Sequence, residues 1–229
     1  MTTRRSRRGR GDPFKRAARR TPPEQIRRTI EKRLLSADPE DGTDLAEFVD
    51  AAIAEHGPGV VDPELVAFAY GQSDRGDEAI ALIEAVRADA PADEMKLFIH
   101  AGILHGQERN AECAVLLREA LVHHPEGAVF HALLAWWCLD EVTESAARFH
   151  LRQALELDPA GDGPHISGVM LSRHYGDLEQ AEVHLEFLRV HHPDAHEQIL
   201  KEDAEKAKEA EEARDAERQD SEEDPGTVA

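Results

Sequence analysis

Four prolines recur at intervals of 34 residues, and this spacing constrains the fold more than any other feature of the sequence. Each proline follows a segment of helical periodicity, and proline cannot continue the interior of a helix. Because the interval is the same between every neighbouring pair, it indicates an internal repeat. These prolines are Pro91, Pro125, Pro159 and Pro193.

Side-chain size repeats with the same period. A small side chain lies twelve residues before each proline, a second and mostly small set lies twelve residues further upstream, and a large aliphatic lies eight residues before each proline. Two antiparallel helices approach closely only where side chains are small, and large aliphatics one turn away fill the remaining space. The pattern therefore predicts a hairpin of two helices in every repeat. The first small set is Ala79, Cys113, Ala147 and Ala181, the second is Ala67, Ala101, Ala135 and Val169, and the aliphatics are Ile83, Leu117, Leu151 and Leu185.

The repeat length, the small positions and the closing proline together resemble the tetratricopeptide repeat family over residues 60–193. The resemblance implies an all-α fold, namely a right-handed solenoid of four helical hairpins with flanking helices, and a non-catalytic role in binding other proteins. The fourth and seventh places of the repeat depart from the family pattern. Gly168 and Ser172 on the first helix of repeat four predict that this repeat is the most loosely packed.

Charge and composition divide the rest of the chain. Residues 1–33 carry 13 Lys or Arg and 3 Asp or Glu, whereas the remainder carries 14 and 44. We predict a disordered basic arm over residues 1–21, an N-terminal helical hairpin over 22–59, a polar capping helix over 194–219 and an acidic disordered tail over 220–229. The hairpin, with helices at Pro23–Ser36 and Thr43–His56, is a degenerate repeat or a cap. Ile199 and Leu200 are expected to cover the exposed end of repeat four.

If the first helix of each repeat lines the concave face, as the resemblance implies, the groove is largely apolar. Two alternatives stay open. Residues 22–56 or a second copy of the chain fill the groove, or a partner protein places an apolar or amphipathic segment there, and the acidic rim favours a basic one. Trp136 and Phe98 are the best hot-spot candidates. The predicted groove residues are Leu65, Phe68, Gln72, Phe98, Ile99, His105, Leu133, Trp136, Asp140, Ile166, Met170 and Arg173.

One ligand class is disfavoured by the same residues. Members of the family that clamp the C-terminal carboxylate of chaperone tails present Lys, Asn and Arg in the groove. The matching positions here are mostly apolar, so we expect an internal segment as the ligand and not a chaperone terminus. These positions are Glu64, Phe68, Phe98, Gly102, Ala132 and Trp136.

The basic arm suggests an alternative function as a nucleic-acid-associated adaptor. Its arginines are interleaved with glycines and could contact phosphates with release of counterions. A solvated arm, or one that folds back on the acidic body, is the competing interpretation, because only Phe14 is available to stack on bases and the acidic body repels a polyanion. The arginines concerned are Arg4, Arg5, Arg7, Arg8 and Arg10.

The sequence contains no pattern that favours catalysis. It lacks a Gly-rich phosphate loop, a Gly-x-Ser-x-Gly elbow and a dinucleotide fingerprint, so we predict no enzyme activity and no cofactor. Adjacent histidines precede Pro125 and Pro193, but neighbouring residues on a helix point about 100° apart, so we predict no metal site. A pH-responsive role of the thirteen histidines remains an alternative. Cys113 is expected to be a buried, inert thiol, whereas Cys138 is expected to be partly exposed if the groove is open.

Nothing in the sequence predicts insertion into a membrane. No run of 18 apolar residues is present, and the basic start is not followed by the apolar stretch of a secretory signal. We therefore expect no membrane partner and a cytoplasmic location, and the abundance of Arg and Ala suggests a bacterial origin.

Overall fold

The structure is a computed structural model that describes residues 21–35 and 42–223. Within these residues there are eleven α-helices, a short 3-10 helix at Pro58–Val60 and no strand, so the all-α prediction is confirmed. The helices are α1 Pro23–Leu35, α2 Gly42–His56, α3 Pro63–Gly71, α4 Gly76–Ala88, α5 Glu94–Gly106, α6 Asn110–His123, α7 Ala128–Trp136, α8 Glu144–Leu157, α9 Asp162–His174, α10 Leu178–His191 and α11 Pro193–Glu223.

The chain divides into two compact units, residues 1–157 and 158–229. Unit 1 contains α1–α8 and unit 2 contains α9–α11. In unit 1, α3 packs on α4, α5 on α6 and α7 on α8, and in unit 2 α9 packs on α10. The chain is therefore built of helical hairpins, as predicted, while the number of repeats stays a prediction.

The small positions on the second helix of each hairpin are buried. Ala79, Cys113 and Ala147 are fully buried, and Ala181 is 2 % exposed. In the α5–α6 hairpin the Cys113 thiol donates to the carbonyl oxygen of Ala101, with Sγ and O 3.5 Å apart. One small position thus lies directly against the backbone at the other small position, which explains why both require a small side chain.

In two of the hairpins the turn contains a left-handed residue at the same place of the repeat. Glu108 between α5 and α6 has φ 57°, and Gly176 between α9 and α10, two repeat lengths later, has φ 75°. The amide after each of them donates back to the end of the first helix, from Arg109 N to Leu104 O at 2.9 Å and from Asp177 N to Ser172 O at 2.8 Å. These bonds satisfy carbonyls that the end of a helix leaves unpaired.

The N-terminal hairpin packs on the first predicted repeat. Ile26 and Ile30 of α1 and Phe48 and Val49 of α2 share a buried cluster with Leu65 and other apolar residues of α3. No described residue of α5–α8 belongs to that cluster. Within the described part of unit 1, α1 and α2 therefore cover α3 but neither α5 nor α7.

In unit 2, α11 covers part of α9 and α10. Ile199 is 3 % exposed and lies in a cluster with Val169 and Leu188, which confirms its predicted packing. The same prediction is wrong for Leu200, which is 48 % exposed because successive residues on a helix point about 100° apart. The helix begins at Pro193 and ends at Glu223, and every side chain described from Ala204 to Arg214 is exposed.

The loose packing predicted for repeat four is not found at Gly168 itself. Gly168 is buried in α9, and a Cβ atom on it would lie 2.6 Å from ring atoms of His184 on α10. The absence of a side chain therefore makes room for the His184 ring against the backbone of α9. Glycine here serves close packing and not looseness.

We expect Gly168→Ala to destabilise unit 2 by about 1 kcal/mol, because the displaced His184 ring costs more than the gain in helix propensity. The matched control is Gly163→Ala in the first turn of the same helix, where a Cβ atom would meet nothing within 4 Å. Gly163→Ala should leave stability unchanged or raise it by up to about 1 kcal/mol. Urea unfolding followed by circular dichroism compares the two, and an equal effect would contradict the packing role of Gly168.

Candidate functional site

The predicted groove residues do not all reach the surface. Leu65, Ile99 and Leu133 occupy the same place in three successive hairpins, and all three are buried, with exposed fractions of 5 %, 1 % and 7 %. They pack inside unit 1 and present no surface to a partner. The residues that remain accessible in unit 1 are the half-buried Phe68, Phe98, His105 and Trp136 and the exposed Gln72 and Asp140.

An aromatic cluster forms where the end of α5 meets the end of α7. The ring of His105 stacks on Trp137, with centroids 4.6 Å apart and an interplanar angle of 4°. It also meets the edge of Trp136 at 6.5 Å, and the two indoles lie 6.2 Å apart. All three side chains are half-buried, so the cluster is fixed by packing and still offers ring surface to solvent.

Neighbouring residues hold this cluster in place. His105 Nδ1 lies 3.3 Å from Asn110 Oδ1 at the start of α6, and burial lowers the pKa of His105 below its ordinary value. One turn earlier, Gly102 lies beside the second indole, and Cη2 of Trp137 is 3.7 Å from the place where a Cβ atom would be, an ordinary contact distance. Because the lowered pKa favours the neutral form of His105, the stacked imidazole and indole present a largely apolar surface.

Trp137 is the residue that the sequence analysis missed. It follows the last residue of α7 and packs partly against the main core of unit 1. Helical spacing assigned its neighbour Trp136 to the groove and left Trp137 out. The paired tryptophans of the sequence were the available signal, since indoles exceed most side chains in contact area.

A polar network fixes the end of α3 beside Phe68. The Tyr70 hydroxyl donates to Asp50 at 2.6 Å, and the Arg75 guanidinium lies 3.5 Å from the centre of the Tyr70 ring. Arg75 also donates to Asp50 at 2.8 Å and to Glu78 at 2.7 Å. The network ties α2 to the α3–α4 hairpin, so the N-terminal hairpin is held on α3 by polar as well as apolar contacts.

The predicted residues of unit 2 are engaged by that unit's own final helix. Ile166 and Met170 pack partly against the cluster that contains Ile199, and Arg173 donates to both carboxylate oxygens of Asp203 at 3.0 and 2.8 Å. Bidentate pairing restricts the guanidinium to one orientation. In unit 2 the face predicted for a partner is therefore partly filled by α11.

Both cysteines lie in the core of unit 1. Cys113 is buried as predicted, and Cys138 is also buried, so the expectation of partial exposure is wrong. The neighbouring Cys138 thiol, together with burial, raises the pKa of Cys113 above its ordinary value. A protonated, enclosed thiol is a poor nucleophile.

The second histidine of each His-His-Pro segment has a structural role. His124 Nε2 lies 2.7 Å from Ala92 O in unit 1, and His192 Nε2 lies 2.7 Å from Ala160 O in unit 2. Each imidazole thus ties the end of one hairpin to the turn before its first helix. Among the residues described, no three His, Cys, Asp or Glu side chains come together in a way that could hold a metal ion.

The arginines of the basic arm, Arg4 to Arg10, lie outside the described residues, as do residues 224–229 of the predicted acidic tail. None of the helices described in residues 21–35 and 42–223 is both long and apolar enough to cross a membrane.

Comparison with known proteins gives few matches. No protein-family model matches the chain, and no curated protein matches it. Among solved structures, this chain is similar to a MamA chain from Desulfovibrio magneticus RS-1 that comprises residues 41 to the end. The identity is 17 % and the TM-score 0.48, and the match covers 74 % of this chain and 97 % of that chain. A double mutant of MamA RS-1 has 15 % identity over 73 % of this chain and 92 % of that chain, with a TM-score of 0.47.

Proposed function

We propose that the chain is a non-catalytic binding protein, and that unit 1 binds an apolar or amphipathic segment of a partner protein through the aromatic surface of its first helices. The observation that carries the proposal is the half-buried cluster of His105, Trp136 and Trp137. Aromatic side chains that packing holds in place lose little conformational entropy when a partner covers them, and they are enriched among binding hot spots.

Charge supports a basic partner segment. Beyond residue 33 the chain carries 44 acidic and 14 basic residues, so a cationic segment is attracted and a polyanion repelled. The exposed Asp140 follows Trp137 by three residues and places a carboxylate next to the aromatic surface in sequence. A basic amphipathic helix combines the two properties that this surface favours, an apolar stripe and flanking positive charge.

Trp136→Ala should weaken binding of a basic amphipathic helical peptide by about tenfold or more, because it removes an indole from the centre of the proposed surface. Calorimetric titration of the full chain measures the affinity. Three peptides are compared: the basic amphipathic one, a scrambled peptide of the same composition without an apolar stripe, and an acidic amphipathic one. Only the first should bind tightly.

The matched control variant is Phe149→Ala, which removes an exposed aromatic ring from α8. This helix is the second one of its hairpin and is not part of the proposed surface. It should leave the affinity unchanged. Equal binding by Trp136→Ala and the unaltered chain would contradict the proposed surface, and tight binding of the acidic peptide would contradict the proposed partner. Light scattering over a range of concentrations identifies the remaining alternative, a second copy of the chain as the occupant.

A further inference from the structure

Two histidine pairs occur at the same place in two hairpins. In unit 1, His131 on α7 faces His150 on α8 with their Nδ1 atoms 2.9 Å apart. In unit 2, His165 on α9 faces His184 on α10 with Nδ1 atoms 3.2 Å apart. The members of each pair are separated by 19 residues, and the second pair follows the first by 34. Each pair therefore joins the two helices of its own hairpin.

The hydrogen-bond partners assign the protons within each pair. His131 Nε2 lies 3.3 Å from Pro125 O, and His165 Nε2 lies 3.3 Å from Pro159 O. A carbonyl oxygen only accepts, so Nε2 carries the hydrogen and Nδ1 of the same neutral ring is an acceptor. His150 and His184 must then donate from Nδ1. Each pair is closed by one hydrogen bond between two neutral rings.

The surroundings of the unit 1 pair oppose positive charge. His131 is 8 % exposed, and the guanidinium of Arg118 on α6 is a positive charge that acts on His150. Burial, together with the electrostatic interactions with His131 and Arg118, lowers the pKa of His150 to about 4. Burial also lowers the pKa of His131, against the opposing effect of its bond to Pro125.

The unit 2 pair has similar surroundings. His165 stacks on Phe187 with centroids 3.6 Å apart, and His184 rests against Gly168. Burial lowers the pKa of both rings. His191 and His192 on or beside α10 add to the effect on His165, whereas Asp158 before α9 opposes it.

We propose that the His131–His150 pair is an acid-sensitive latch between α7 and α8. When both rings are neutral the pair holds the hairpin closed. The first added proton goes to Nε2 of His150 and leaves its Nδ1–H bonded to Nδ1 of His131, but it places a positive charge on a half-buried ring on which Arg118 also acts. A second proton leaves two N–H donors facing each other at 2.9 Å, so the doubly protonated pair must separate. His165–His184 is the same device in unit 2.

The sign of the pH dependence follows from the depressed pKa values. A histidine whose folded pKa lies below its unfolded value of about 6.5 binds protons more readily in the open state. The closed hairpin is therefore fully favoured above about pH 6.5 and loses this advantage as the pH falls toward about 4. Because Trp136 is the last residue of α7, opening would also disturb the proposed binding surface, although the latch does not depend on that function.

Tryptophan fluorescence reports on this hairpin directly, because the two tryptophans of the chain are Trp136 and Trp137. We expect emission of the full chain to change cooperatively between about pH 6.5 and pH 4. His150→Asn keeps an amide N–H to donate to His131 but cannot take up a proton, so it should move the midpoint to lower pH by about half a unit or more. His123→Asn, at an exposed histidine on α6, should leave the midpoint unchanged.

Two outcomes would overturn the proposal: identical midpoints for His150→Asn and the unaltered chain, or an equal shift in His123→Asn. His105 contacts Trp137 and is the same in all three chains, so its titration contributes equally to each. Should His150→Asn not fold, nitrogen NMR of the unaltered chain at pH 7 decides. We expect His131 to carry its proton on Nε2 and His150 on Nδ1. A charged ring, or the same tautomer at both, would refute the latch.

Discussion

Phe130→Ala should lower the free energy of unfolding of unit 1 by about 3–5 kcal/mol, the range found when a buried phenylalanine is truncated. Phe130 is fully buried in α7, and its ring lies in the main core cluster of the unit with side chains from α4, α5 and α6. Truncation leaves a cavity that the helices cannot close without breaking the contacts at the neighbouring small positions. Urea unfolding followed by circular dichroism and by tryptophan emission measures the loss.

A phenylalanine of the same unit supplies the control. Phe149 on α8 is 45 % exposed, and the Arg152 guanidinium lies 5.5 Å from its ring centre. Phe149→Ala removes the same atoms from a surface that water already reaches, so its cost should stay below about 1 kcal/mol. If the two substitutions cost the same, the core of unit 1 would not be where the structure places it.

Phe149 also belongs to an exposed apolar set that the repeat does not explain. Val115 on α6 is 64 % exposed and Phe149 is at the equivalent place on α8, and in unit 2 the equivalent Val183 on α10 is 57 % exposed. These residues are 34 apart and have the same chemical character as the buried aliphatics. Periodicity alone therefore cannot tell an inward apolar position from an outward one.

The hairpins could be predicted because their signal is steric. A small side chain at a helix crossing is required by the geometry of two backbones, whatever the partner or function, so its recurrence identifies the crossing directly. Ala79, Cys113 and Ala147 all lie where this argument placed them. The N-terminal helices Pro23–Leu35 and Gly42–His56 also lie within one residue of their predicted bounds.

The candidate site was only partly predictable because the first helices of unit 1 are apolar nearly all round. A helix of that kind gives no polar stripe from which to orient it. Leu65, Ile99 and Leu133 were assigned to the groove although they point into the core, and Trp137 was left out although it stacks on His105. Which apolar side chain faces the neighbouring helix depends on the packing of the hairpins and not on the sequence of one helix.

The histidine pairs were beyond sequence reasoning for a related reason. His131 and His150 are 19 residues apart, a separation that corresponds to no ligand spacing within one helix. Only the antiparallel packing of α7 on α8 brings their Nδ1 atoms to 2.9 Å. The repeated His-His-Pro segments are the more conspicuous histidine pattern in the sequence, but their second histidines bind backbone carbonyls.

The relation between side-chain size and helix approach leads to a second large effect. Ala147→Leu should destabilise unit 1 by about 1–3 kcal/mol through overpacking. Ala147 is fully buried on α8, at the place that Cys113 occupies on α6. In the α5–α6 hairpin, Sγ of Cys113 lies 3.5 Å from the carbonyl oxygen of Ala101. An equally close approach in the α7–α8 hairpin leaves no room for the three carbon atoms that leucine adds. The helices must separate or the leucine must adopt a strained rotamer.

Ala111→Leu is the control, since Ala111 is exposed in the first turn of α6 in the same unit. Both substitutions add the same atoms to a helix, and leucine and alanine differ little in helix propensity. The free energies of unfolding of the two variants, measured in urea, should therefore differ by the overpacking cost alone. An unchanged midpoint for Ala147→Leu would mean that small residues do not set the approach of α7 and α8. The 34-residue recurrence would then need a cause other than the stacking of equivalent hairpins.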